Sequence, residues 1–381
     1  MPFEFGTAGR VMVGPGRAAE LPSVLAGLGS RVLVCTGSRP ASHAGLVDGV
    51  QLPAAVVTVR GEPTTESARA AAAVAREHGA DVVAAIGGGS VIDLAKAVAM
   101  LLGNGGDPLD YLEVVGSGGK ISKPAVPLVA LPTTAGTGAE VTANAVLASP
   151  AHRVKASLRS PLMIPRVALV DPLLTVTCPP HVTAASGLDA LTQCLEPFVS
   201  VRANPLTDCL ARGGLRHAAA GLRRAYADGT DLEARSDMTV CSLLGGMTLA
   251  NAKLGAVHGL ASVVGAAADV PHGAACAALL APVVEANVRA LRSGQRGGAA
   301  LARYAEAAQL LTGDPGAAIE DGVAWIRETV TQLRIPGLRE FGLTPQVFGD
   351  VAAVAMKASS TQGNPVVLSH DDLCAILAAA A

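Results

Sequence analysis

Short β-branched runs alternate with Ala-rich amphipathic ones through the first half of the chain, and no other feature restricts the fold as much. Arg31 to Thr36 (RVLVCT) and Ala54 to Val59 (AAVVTV) read as buried strands, and Asp81 to Ile86 (DVVAAI) as another. Glu66 to His78 and Val91 to Leu102 carry helical spacing between and after them. Ala125 to Leu131 (AVPLVAL) and Val167 to Val170 (VALV) look like further strands, the second closing at Asp171-Pro172. Such alternation predicts a mostly parallel sheet with helices on its faces. Beyond about Pro180 the β-branched clusters thin out. Long helical patterns follow at Ser236 to Ala250, Gly273 to Ala290 and Ala299 to Leu311, separated by Gly, Pro and Asn. The expected organisation is an α/β domain at residues 1–178 and an all-α domain at 179–381, in keeping with a prior of about 150 residues per domain.

Composition removes several classes of function. Half the residues are hydrophobic and 16% are charged, enough apolar surface for a sizeable core. With 29 basic and 31 acidic residues and no Lys/Arg block, nothing is suited to track a phosphate backbone. Aromatics at 2% leave no stacking platform for single-stranded nucleic acid. The seven cysteines are scattered, odd in number and never spaced CxxC, so neither a disulfide framework nor a thiolate zinc site is expected. That usage fits a reducing cytoplasm. The start, MPFEFGTAGR, lacks a basic stretch followed by an apolar run, and the most apolar part of the chain is interrupted by Asp269, Pro271 and His272. Secretion and membrane spanning are both disfavoured.

Two Gly- and hydroxyl-rich loops follow predicted strands. In the first, Gly87-Gly88-Gly89-Ser90 leads into a helix beginning near Val91, where backbone N–H groups and the helix dipole favour a phosphate. Ser90 and Asp93 also read as a capping box serving the helix itself, and tight turns use Gly for geometry alone. The second is Pro132-Thr133-Thr134-Ala135-Gly136-Thr137-Gly138, whose hydroxyls can donate to phosphate or frame a flat ring. Both would share the carboxyl edge of one sheet, where ligands of open α/β sheets bind. Gly14-Pro15-Gly16-Arg17-Ala18-Ala19 matches G-x-G-x-x-A, but no acidic residue closes a strand about 20 residues on, so it reads as a structural turn.

The helical half offers Asp189 and Gln193 four residues apart on one face of a helical pattern that Pro197 is expected to end. His258 lies in a helical run, and His272 sits at the break Val270-Pro271-His272-Gly273. Together they form a carboxylate, amide and two-imidazole set suited to Zn²⁺ or Fe²⁺. Hydrogen-bonded structural histidines and a capping Asp account for the same residues, since neither HxH nor HExxH spacing occurs. His43, His78, His152, His181, His217 and His370 read as solvated or structural.

These pieces, in their order and spacing, resemble the iron-containing, or group III, alcohol dehydrogenase family over nearly the whole chain. The match is carried by Gly87-Gly88-Gly89-Ser90 with Asp93 and Lys96, by Pro132 to Glu140 with Asn144, and by Lys155 before Val170-Asp171-Pro172. Gly187-Leu188-Asp189-Ala190-Leu191-Thr192, His258-Gly259 and Pro271-His272-Gly273 complete it. The resemblance implies an N-terminal dinucleotide-binding domain, a helical domain carrying a divalent ion, and a cleft between them. It places the pyrophosphate at Gly87, Gly88, Gly89 and Ser90 with Asp93, the ribose and nicotinamide near Thr133, Thr134, Thr137, Asn144 and Lys155, and the metal at Asp189, Gln193, His258 and His272.

Two departures matter. The family places a His where Gln193 stands, and several members carry another His where this chain has Ser262. Gly37, followed by Ser38 and Arg39, occupies the position where NAD-preferring members present an Asp to the adenosine ribose, so NADP should be tolerated beside NAD. The expected activity is hydride transfer between NAD(P)H and a small aldehyde or ketone or its alcohol, with Asp189, His258 and His272 catalytic through a Lewis-acidic ion. Reduction of an anionic oxo compound (maleylacetate-type or phosphonate aldehyde) and a nucleotide-binding relative without turnover are the alternatives. By resemblance the chain is expected to form a homodimer.

Overall fold

Strands buried along their whole length need both faces of their sheet covered, and four strands of this chain meet that condition. The computed structural model describes residues 2–152, 154–268, 270–294 and 297–381, so Asp269, the first of the three expected interruptions, lies outside the described residues. The chain divides into two compact units. The first comprises Gly6–Thr134 and Gly138–Cys178. In chain order it contains β1 (Arg10–Val13), α1 (Leu21–Ala26), β2 (Val32–Thr36), α2 (Ala44–Asp48), β3 (Ala54–Thr58), α3 (Thr65–His78) and β4 (Val82–Gly87). There follow α4 (Gly89–Asn104), α5 (Pro108–Tyr111), β5 (Leu128–Pro132), β6 (Asn144–Ser149), β7 (Val154–Arg159) and β8 (Val167–Val170).

Six strands form one sheet in the order β1-β8-β5-β4-β2-β3, every pairing parallel. Alternate residues face opposite sides. Leu33, Cys35, Val83 and Ala85 therefore join a core with Ala68, Ala72 and Ala75 of α3 and Ile92 and Leu94 of α4. Val32, Val34, Val82 and Ala84 pack on the other side with Met12 and with Leu21 and Leu25 of α1. Each such Val or Leu contributes on the order of 1.5–3 kcal/mol on burial. The chain leaves β2 toward β3 and leaves β4 toward β5, in opposite directions across the sheet. The order thus reverses between β2 and β4, and the crevice beyond their carboxyl ends is where a doubly wound sheet binds ligands.

Two local readings change and a third, the turn at Gly14 to Ala19, holds. α4 starts at Gly89 with Gly88 as its cap residue and no side chain bonded there, so Ser90 and Asp93 are not a capping box. β4 runs into the helix through glycine, which leaves Ser90 inside the first turn, and Asp93 Oδ2 instead accepts the Val146 N–H at 3.0 Å. β6 and β7 form an antiparallel hairpin that the sequence did not suggest, because its residues alternate in burial rather than making one apolar run. The Gly14 to Ala19 segment is a turn with Gly16 at φ 81°, held by the Ala18 N–H donating to Asp171 Oδ2 at 2.9 Å.

The second unit comprises Pro179–Ala381 with Ala135–Thr137 and the N-terminal residues up to Phe5. It contains α6 (Pro180–Val199), α7 (Pro205–Ala227), α8 (Leu232–Ala252), α9 (Ala256–Ala268), α10 (His272–Ser293), α11 (Gly298–Thr312), α12 (Ile319–Gln332), α13 (Phe348–Ala355) and α14 (His370–Ala380). Pro197 does not end α6, which continues to Val199. A proline deprives the carbonyl four residues back of its donor. Here that carbonyl, Gln193 O, lies 2.8 Å from the Thr248 hydroxyl of α8, which offers a replacement. α10 is long and apolar enough to cross a membrane by length and composition, yet 78% of its most apolar stretch is buried inside the protein. It is a core helix that starts at the expected break.

Candidate metal and cofactor sites

Asp189, Gln193 and Glu196 stand at i, i+4 and i+7 on α6, one stripe of the helix, and all are buried. His258 enters in the first turn of α9, while His272 and Cys276 stand one turn apart at the start of α10. Asp189, His258, His272 and Cys276 each bring a ligand atom to one point, all within 4.8 Å of one another. Asp189 Oδ1 is 3.2 Å from His258 Nε2 and 3.8 Å from His272 Nε2, and His272 Nε2 is 3.7 Å from Cys276 Sγ. The glycine after each histidine lets a neighbouring segment pack closely there. A Cβ on Gly273 would lie 2.7 Å from the Ala185 carbonyl of α6, and one on Gly259 would lie 2.0 Å from Thr361 Oγ1.

The electrostatics call for a cation. His258 is 5% exposed and both its ring nitrogens face carboxylates, Nδ1 to Glu196 Oε2 at 2.7 Å and Nε2 to Asp189 Oδ1 at 3.2 Å. A neutral imidazole carries one N–H and can donate to only one of them. Either the ring holds a second proton or a metal ion takes its place between Nε2 and Asp189. Burial opposes the imidazolium of His258, but Cys276, Asp189 and Glu196 outweigh it and hold the pKa well above the ordinary value. His272 is raised to about 9, chiefly by Cys276. Burial works against the Asp189 carboxylate, and the hydrogen bond from His258 with the charges of both histidines still keeps its pKa low.

The Gln193 Nε2 donates to Asp189 Oδ2 at 3.0 Å, while its Oε1 is buried without a partner. A carboxylate, a thiol and two imidazoles converging within 4.8 Å are a donor chemistry that fits a divalent metal. Sequence reasoning missed Cys276 and Glu196. Cys276 was passed over because thiolate sites were sought only by CxxC spacing, although its position four after His272 was a usable signal. Glu196 sits three residues beyond Gln193, on the same helical stripe.

In the α/β unit, Gly37 and Ser38 follow β2 and the run Gly87 to Ser90 joins the last residue of β4 to the start of α4, β2 and β4 being the two strands that flank the order reversal. α4 opens there with no side-chain cap. The Thr133 N–H donates to Gly87 O at 3.0 Å, and a Cβ on Gly88 would stand 3.2 Å from Thr134 Oγ1, so the two Gly- and hydroxyl-rich loops meet. Thr137 groups with the helical unit. Lys155 lies on β7 in an ion pair with Glu62 at 2.6 Å. Asn144 begins β6, and its carbonyl accepts from the wholly buried Lys96 at 2.9 Å. Asp93 and Asn144 thus help tie α4 to the hairpin.

A doubly wound sheet with a glycine loop at its reversal, in one chain with a helical unit whose donors converge, defines a dinucleotide-type oxidoreductase architecture. Family models agree: iron-containing alcohol dehydrogenase matches residues 8–172, and the C-terminal part of the same family matches 183–381. Alcohol dehydrogenase 4 of Saccharomyces cerevisiae is 36% identical over 316 residues, 83% of this chain and 80% of that one. A solved 1,3-propanediol oxidoreductase is 30% identical with TM-score 0.92, covering 100% of both chains. Sulfoacetaldehyde reductase from Bifidobacterium kashiwanohense, in complex with NAD⁺, is 27% identical with TM-score 0.88, covering 100% of this chain and 99% of that one. The chain belongs to the iron-containing alcohol dehydrogenase family. It is an oxidoreductase acting on CH–OH groups.

Proposed function

We propose that this enzyme moves hydride between NAD(P)(H) and a small alcohol or its aldehyde or ketone, using a divalent ion held by Asp189, His258 and His272. The observation that carries the reading is the His258 ring, buried between two carboxylates with a geometry that demands positive charge. A bound ion would supply Lewis acidity toward the substrate oxygen. Asp189 contributes the anionic donor, and Glu196 fixes the tautomer of His258 by accepting from Nδ1. The N-terminus of α4, with Gly87, Gly88, Gly89 and Ser90, would receive the pyrophosphate through its backbone N–H groups. Thr133 and Thr134 would bound the nicotinamide half, with Thr137, Asn144 and Lys155 as the further contacts the family pattern suggests. Gly37 and Ser38 present no acidic side chain, which supports use of NADP as well as NAD.

Likeness to a sulfoacetaldehyde reductase supports a second reading, in which the oxo substrate carries an anionic group. A panel of neutral and anionic aldehydes with NADH and NADPH separates the two. His272→Ala tests the metal reading. Turnover should fall about a hundredfold or more while dinucleotide affinity stays unchanged. Unchanged turnover would overturn the assignment, and loss of both would show a folding defect.

A further inference from the structure

We propose that Cys276 is itself a metal ligand, completing a four-donor set of Asp189, His258, His272 and Cys276 that favours zinc over harder divalent ions and would take the substrate oxygen as a fifth donor. This rests on the reading above that a divalent ion is held here. Cys276 is wholly buried, and α10 carries it one turn after His272 on the same face. Bonds of about 2.0–2.2 Å to nitrogen and oxygen and about 2.3 Å to sulfur set tetrahedral donors roughly 3.3–3.8 Å apart. The separations measured are 3.2 Å and 3.8 Å from Asp189 Oδ1 to the two imidazoles and 3.7 Å from His272 Nε2 to Cys276 Sγ. These three separations lie close to that scale, and all four donor atoms lie within 4.8 Å of one another.

Asp189 and a Cys276 thiolate would balance a doubly charged ion among the four donors, with the buried Glu196 carboxylate held outside that set on His258 Nδ1. Gln193 offers only a neutral amide, whose N–H₂ is engaged with Asp189. Coordination breaks the S–H bond, forms the S–metal bond and releases the proton to solvent. Thiolate donors suit zinc, whereas manganese and magnesium prefer oxygen.

Cobalt substitution tests this directly. The metal-free enzyme is loaded with one equivalent of Co²⁺, and both the visible ligand-field bands and the near-ultraviolet thiolate-to-cobalt charge-transfer band are recorded. The wild type should show both. Cys276→Ser should lose the charge-transfer band and bind cobalt more weakly, by more than the roughly 10- to 100-fold that an outer-shell loss alone produces. It should also hold Zn²⁺ less selectively against excess Mn²⁺. Cys276→Ala, smaller than the native side chain, repeats the measurement if the buried hydroxyl disturbs folding, with thermal melts of the metal-free proteins as the check. Ligand-field bands without charge transfer, or a charge-transfer band surviving in both variants, overturns Cys276 as ligand while leaving the metal reading intact. Absence of any bound cobalt or zinc overturns both.

Discussion

Glu196 holds His258 from two sides, with Oε2 2.7 Å from the ring Nδ1 and Oε1 accepting the Val257 N–H at 2.7 Å. The same carboxylate therefore orients the imidazole and satisfies an otherwise unbonded N–H of the first turn of α9. Asn364 Oδ1 accepts the preceding N–H, that of Ala256, at 3.2 Å. Glu196→Gln should lower metal affinity about 10- to 100-fold, because an amide cannot hold Nδ1–H with the same strength. Chelator competition with Zn²⁺ measures it. An affinity equal to the wild type would deny Glu196 any positioning role.

The proline within α6 leads to a double-mutant cycle. Thr248→Val removes the hydroxyl near Gln193 O and should destabilise the protein by about 1–3 kcal/mol, the cost of an unsatisfied buried carbonyl. Pro197→Ala restores a backbone donor to that carbonyl and should recover part of the loss in the double variant. Strict additivity in urea melts would mean the two groups do not share this acceptor.

Glu140 and Lys96 give a pH dependence of stability in the α/β unit. Burial raises the Glu140 pKa from 4.5 to about 7, against its own backbone hydrogen bond and the charge of Lys96. Burial lowers Lys96 to about 8, against the charges of Asp93 and Glu140. For Glu140 the folded state binds the proton more tightly than the unfolded chain. Its burial penalty is absent below about 4.5, grows as pH rises, and is complete above about 7. Glu140→Gln should thus gain on the wild type across that window, by on the order of 3 kcal/mol at most, since the carboxylate also supports Lys96. Denaturant melts at the two ends of the window read the change. A stability difference that stays constant across them contradicts the assignment.

Gly37→Asp addresses cofactor choice. A Cβ there would find Val91 Cγ2 at 3.8 Å, an ordinary contact, so the side chain is accommodated. The new carboxylate should weaken NADPH binding about tenfold while leaving NADH within a small factor. Fluorescence titration of both dinucleotides checks it, and equal effects on the two would mean that the position does not face the ribose.

The α/β architecture was legible because β2, β4, β5 and β8 are apolar but for Thr36 at the end of β2, a pattern that leaves little choice but a covered parallel sheet. The β6–β7 hairpin was not, since both strands alternate in burial and the Ser149-Pro150 turn signal between them was not read as joining two strands. Pro197 misled because a local rule was applied to a helix whose missing donor is replaced from α8, 55 residues away in sequence. Asp189, His258 and His272 were visible as residue types, but their convergence came from likeness to a family and not from spacing. Cys276 and Glu196 show what remained hidden. Their partners lie on other helices, and only tertiary structure reveals which donor faces which.

The convergence of α6, α9 and α10 on one point also bears on how the helical unit comes apart. Asp189 and His258 are separated by 69 residues, so an ion gripping both closes a long loop and withdraws chain entropy from the unfolded ensemble. Such an ion is a staple as well as a reagent. Stripping it should speed the opening of this bundle and expose its amides to hydrogen exchange.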